Sequence, residues 1–132
     1  MVILNLMEME SMNFRLRTSK QTEELLKKLS DSTGYTWNVL SRIAVALSLK
    51  ISSEPKQVSE TSGVDIARNT MTGEYDYIYK ALITQHAGRI VSDEEYFPNL
   101  FNAHLERGII ILNGEYELAG NTDRFLTNLF KL

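Results

Sequence analysis

No cysteine occurs among the 132 residues of this chain. That excludes disulfides, a thiolate nucleophile, sulfur-built zinc sites and cysteine-ligated iron–sulfur clusters, and leaves no side chain to carry sulfur as a persulfide. Long apolar runs are missing too. The most apolar stretch, residues 37–50, has fourteen residues with Arg42 near its middle, short of the roughly 18 to 20 that a membrane span requires. No basic segment followed by an apolar one opens the sequence, and no Arg/Ser-rich transit bias appears, so a cytoplasmic, globular protein is expected. Enzyme signatures are also lacking: there is no phosphate-cradling glycine loop, no HExxH and no nucleophile elbow. Asp93, Glu94 and Glu95 read as a helix start rather than a metal site. No catalytic residue, metal ligand or cofactor is therefore assigned, and the chain reads as a non-enzyme.

Positive charge is in deficit overall, with a net charge of −3, but it is unevenly placed. Residues 11–50 carry seven Lys/Arg against three acids, whereas residues 51–132 carry seven against twelve. The basic part is thus the N-terminal segment, and Arg15, Arg17, Lys20, Lys27 and Lys28 are its candidate nucleic-acid contacts. The rival reading is a solvated face neutralised by Glu23 and Glu24.

What is present divides into an N-terminal extension (residues 1–11), a small module (12–50) and a helical extension (51–132) packed on it as one compact unit. Residues 1–11 show no caps and no clean period, and order is not expected there. From Met12 to Arg17 apolar and polar residues alternate, as in a half-buried strand. Ser19 stands at an N-cap position, Leu25, Leu26 and Leu29 form a helical stripe, and Gly34 ends it. Thr36 can cap the next helix, in which nine of fourteen residues are apolar. A helix apolar nearly all round needs cover on several sides. One small chain is expected to cover only one of them, so Trp37, Leu40, Ile43 and Leu47 are assigned to contact with a second copy.

Strand, helix, glycine turn and apolar helix in that order make a ribbon-helix-helix-like module, in which two chains pair their strands and interlock their helices. Outward strand residues Asn13, Arg15 and Arg17 would then face a major groove, and the amides near Thr36, Trp37 and Asn38 would suit a phosphate. Residues 51–62 read as a loop and 63–69 as a short extended piece. A helix is expected to run from about Gly73 to Gly88 with Tyr75 and Tyr79 inward. A single turn at Ser92–Glu95 should precede a helix starting near Pro98. Asn113-Gly114 allows either a hairpin or a helix that Gly114 caps, and the helical stripe Leu105, Ile109, Leu112 favours the helix. A last helix covers 123–131. The fold class is mainly α.

Three stretches, TGYTWNVLSRIAVALSL (33–49), GEYDYIYKAL (73–82) and HLERGI (104–109), make the sequence similar to the DndE family, the small component of bacterial DNA phosphorothioation systems, which modify the DNA backbone with sulfur. The resemblance implies a DNA-binding, tetrameric accessory subunit that favours nicked duplex. Its partners would be a cysteine desulfurase, an iron–sulfur protein and an ATPase-like subunit, which fits a chain without thiols. Glu106 stands where a second histidine would complete HLHRG, which argues against a paired-histidine metal site. Two alternatives keep the same sequence features: a ribbon-helix-helix transcriptional regulator or antitoxin, and an adaptor that does not touch DNA. For single residues, Arg42 is expected in an ion pair, His104 in the core and Arg107 at the surface.

Overall fold

The structure, a computed structural model, describes residues 15–131. The expectations for residues 1–11 and for Met12, Asn13 and Phe14 lie outside the described residues. The element order is β1 (Arg15–Arg17), α1 (Lys20–Thr33), α2 (Trp37–Leu49), β2 (Asp65–Ala67), α3 (Arg68–Met71), a 3-10 turn (Gly73–Tyr75), α4 (Asp76–Ala87), a π-type turn (Glu95–Leu100), α5 (Phe101–Ala119) and α6 (Thr122–Leu129). The chain is mainly helical with one two-stranded antiparallel sheet.

Local chemistry sets the ends of α1. The Ser19 hydroxyl accepts from the Thr22 amide at 3.1 Å, occupying one of the donors that a helix start leaves unpaired. At the other end Gly34 takes φ +78°, a left-handed conformation that costs glycine little, and its amide donates to Ser30. Between them Thr22, Leu26 and Leu29 are buried, one apolar stripe facing inward.

The centre of the fold is the seam between α2 and α5. Ser41, Ala44 and Ser48, small residues one turn apart on α2, are all buried. Gly108 of α5 sits against them so closely that a Cβ there would lie 1.7 Å from the Ala44 carbonyl oxygen. The glycine of the HLERGI stretch therefore sets how near the two helices approach. Around this seam α5 buries Phe101, Leu105, Ile109 and Leu112, spaced by three or four residues as one helical face requires.

Other sides of α2 pack on α1, α3 and α4 of the same chain, with Ala46 left exposed. Leu40 is fully buried and Leu47 nearly so, whereas Trp37 and Ile43 stay half-buried. The premise that one chain covers a single face of this helix is thus corrected. Four helices of the same chain, three of them distant in sequence, pack on α2, and Leu40 and Leu47 are buried within the chain.

β1 finds its partner within the chain as well. Arg15, Leu16 and Arg17 pair antiparallel with Ala67, Ile66 and Asp65, so the short extended piece expected at 63–69 supplies the second strand of the ribbon. Asn102 of α5 donates its Nδ2 to the Arg17 carbonyl at 2.9 Å, fastening the strand to the central helix.

Further on, α5 runs through Asn113-Gly114 without a turn and stops at Gly120, with φ +77°. Gly114 is not the cap, and the hairpin reading is overturned. Tyr116 and Ala119 extend the inward face past it: Tyr116 packs on Phe125 of α6 at 5.3 Å and Ala119 is buried. Pro98 lies in the π-type turn, broken at the extended Phe97, and α5 begins three residues later. Tyr79 packs edge-on to Phe101 as a core residue. Tyr75, however, is 46% exposed: it ends the 3-10 turn before α4 and so does not share a helical face with Tyr79.

Candidate nucleic-acid interface

Alternation on β1 buries Leu16 completely and turns Arg15 and Arg17 out on the same face. Asp65, across the ladder, sits between them. Arg15 Nε donates to its Oδ1 at 2.9 Å, and Arg17 Nη2 lies 3.5 Å from its Oδ2. On α1, Lys20 Nζ is 3.4 Å from Glu23. Lys28 pairs with Glu117 of α5, and Lys27 is exposed with no acidic partner among the described residues. The five cations assigned from sequence are all exposed, two on β1 and three on α1. Three acids neutralise four of them, two of which, Asp65 and Glu117, come from elsewhere in the chain.

Such exposed pairs contribute about 0 to 1 kcal/mol each. A phosphate oxygen can therefore replace a carboxylate at little cost, and the guanidiniums of Arg15 and Arg17 present the fork that suits phosphate. Loop residue Glu60 organises the start of α1 beside them. It accepts from the Lys20 amide at 2.9 Å and from the Ser62 hydroxyl at 2.6 Å, and those bonds, Ser62 first, lower its pKa. At the start of α2 the Thr36 hydroxyl is engaged with the Asn38 side chain, and no side chain caps the first-turn amides.

Two clusters escaped the sequence reading. Arg68 donates through Nη2 to Asp76 at 2.7 Å and through Nη1 to Asp93 at 2.8 Å, while Lys80 holds the other Asp93 oxygen at 3.0 Å. The guanidinium also lies 5.0 Å from the Tyr96 ring centre, and the Tyr96 hydroxyl donates to Asp76. Burial opposes the Arg68 charge, but the two aspartates outweigh it and raise its pKa further. Hydrogen bonds from Arg68 hold Asp93 down to about 2. Nothing in the spacing of residues 68, 76, 80 and 93 announces this set.

The second cluster joins α2 to α5. His104 Nδ1 lies 2.9 Å from Ser48 Oγ, and Arg107 donates Nε to the same oxygen at 2.8 Å. Arg107 also donates to the Ser48 and Ser53 carbonyls, so it closes the C-terminal end of α2 instead of standing free at the surface. Burial, then His86 and Arg107, push the His104 pKa down to about 4. The imidazole is neutral at pH 7 and shares a buried hydrogen bond with the Ser48 hydroxyl, as a core histidine should. The i, i+3 spacing of His104 and Arg107 was the visible hint. Arg42 donates to the Met71 carbonyl at 2.8 Å and faces the Tyr75 ring at 5.7 Å, a different partner set from the expected ion pair. Among the described residues, no group of three His, Cys, Asp or Glu is placed to hold a metal, and no helix is long and apolar enough to cross a membrane.

The chain matches the family described as DNA sulphur modification protein DndE over residues 15–120. Its structure is similar to the crystal structure of DndE from Escherichia coli B7A, involved in DNA phosphorothioation modification, at 26% identity and a TM-score of 0.61, covering 74% of this chain and 95% of that one. A mutant DndE involved in DNA phosphorothioation is similar at 25% identity and a TM-score of 0.58, covering 76% of this chain and 96% of that one. No match was found among curated proteins. With matched residues running from β1 to the end of α5, the chain belongs to the DndE family of DNA sulphur modification proteins.

Proposed function

We propose that this protein is a cytoplasmic, non-catalytic, DNA-binding subunit of a phosphorothioation complex, contacting duplex phosphates through Arg15, Arg17, Lys20, Lys27 and Lys28. The observation that carries the reading is the exposure of all five cations on β1 and α1, four of them in ion pairs weak enough to exchange for phosphates. Repetition of that surface in a homotetramer would multiply the contacts. For the contact between copies, the apolar residues left outside on the 3-10 turn and α4, Tyr75, Ile78 and Leu82, join the half-buried Trp37 and Ile43. Leu40 and Leu47 support that surface from within. Ile78→Glu should then lower the sedimenting mass with the fold intact, whereas Leu47→Asp should unfold the chain.

The test is a titration with intact and singly nicked duplexes of unrelated sequence at two salt concentrations. Binding to both sequences with a log–log salt slope of roughly 0.9 per neutralised phosphate is expected, tighter on the nicked forms. A palindrome-specific footprint would instead favour a ribbon-helix-helix regulator. One observation favours a second reading, an adaptor that holds the desulfurase, iron–sulfur or ATPase-like partners without touching DNA: four of the five cations already carry an acid. Absence of binding to either duplex, with partner capture retained, would decide for it.

A further inference from the structure

Beside Arg15 and Arg17 lies a hollow of about 290 Å³, walled also by Gln57, Val58, Thr61, Pro98, Asn99 and Asn102. Its size is at the lower end for ligand pockets, too small for a duplex but suited to a single base and sugar. The lining has an ordered chemistry. Two guanidiniums stand on the strand side, three amides and a hydroxyl follow, and Val58 and the Pro98 ring give apolar surface.

One wall residue is incomplete as it stands. Asn102 is 6% exposed, and its Nδ2 is committed to the Arg17 carbonyl, so the amide cannot turn. Its Oδ1 is buried with no hydrogen-bond partner among the described residues. An unpaired buried acceptor is costly, so a small shift of the wall that opens it to a donor, such as the exocyclic amine of a base, would be favoured. Asn99 and Gln57, both exposed, add amides able to read a base edge.

We propose that this hollow receives one unstacked nucleotide of a broken DNA strand, its phosphate on Arg15 and Arg17 and its base between Val58 and Pro98 within reach of the amides. The proposal rests on the DNA-binding reading above and gives it a physical basis for preferring broken strands. Taking a base out of the stack costs least where the strand is interrupted, so a nick or a one-nucleotide flap delivers the ligand that an intact duplex withholds. Asp65, shared by the two arginines, would give way to the phosphate.

The experiment uses the full chain and three duplexes of one sequence: intact, nicked, and nicked with a one-nucleotide flap carrying 2-aminopurine. Anisotropy reports affinity and 2-aminopurine emission reports seating of the base. The flapped duplex should bind most tightly, with a change in emission. The double variant Gln57→Ala/Asn99→Ala, which alters only exposed side chains, should lose roughly tenfold on the flapped duplex, the scale of one or two hydrogen bonds, and less than about twofold on the intact one. Equal affinity of the wild type for all three duplexes, or equal losses on all three in the double variant, would overturn the pocket and leave DNA binding standing. Binding to none of them would remove the DNA reading and this proposal together.

Discussion

Two arginine–aspartate clusters in this molecule use the same chemistry to different ends. Arg68 is 14% exposed, held by Asp76 and Asp93 and flanked by aromatic rings. Arg15 and Arg17 are 51% and 58% exposed and, among the described residues, share Asp65 as their acidic partner. A desolvated guanidinium needs its partners, and they in turn fix α3, α4 and the segment before α5. A hydrated guanidinium keeps its options. Burial, not residue type, separates an arginine that holds the fold from one that can meet a ligand.

The comparison breaks most visibly at Arg68. Arg68→Ala should cost about 3 kcal/mol in denaturant unfolding, because it removes the cation that Asp76 pairs with and one of the two that hold Asp93 in a partly buried site, whereas the corresponding change at Arg15 should cost under about 1 kcal/mol. Acid should act on the same cluster. Asp93 is depressed from 3.8 to about 2, so its contribution is present above pH 3.8 and is lost as pH falls toward 2. Equal stability of the two alanine variants would show that the clusters do not differ as described.

Next in size is the interior histidine. His104 has its pKa lowered from 6.5 to about 4, so between those values the unfolded chain takes up a proton that the folded chain refuses. Stability should be full above pH 6.5 and decline by about 2 to 3 kcal/mol as pH drops to 4. His104→Gln should flatten that stretch of a pH–stability curve measured by thermal unfolding.

At the exposed cluster the effects should appear in binding rather than folding. Asp65→Asn frees Arg15 and Arg17 from their acid, so duplex affinity should rise by up to about fivefold while stability moves by less than about 1 kcal/mol. A fall in affinity would mean that Asp65 positions the arginines and does not compete with DNA. The smallest effect is expected from Lys27→Ala, with stability within about 0.5 kcal/mol and the salt slope reduced by roughly 0.9.

Much of the local structure was legible. The alternation around Leu16, the Ser19 cap, the Gly34 and Gly88 stops and the Leu26/Leu29 stripe all follow from neighbours within four residues, and they appear where the pattern placed them. The end of α5 did not follow, because Gly114 is a good local stop and only the packing of Tyr116 and Ala119 carries the helix past it. Of the candidate site, the five cations were legible as a charge cluster, but Asp65 and Glu117 as their partners were not. Those contacts join residues 50 and 89 positions apart.

By itself the sequence determined the helical class, the Ser19 and Gly34 caps, the basic N-terminal segment and the lack of thiols, since each depends on residue type or short-range spacing. The tertiary structure alone decided that α2 is wrapped by its own chain, that β1 pairs with β2, and which arginines are buried. Those outcomes depend on which distant segments meet, and removal of a side chain from water is a property of that meeting, not of the residue.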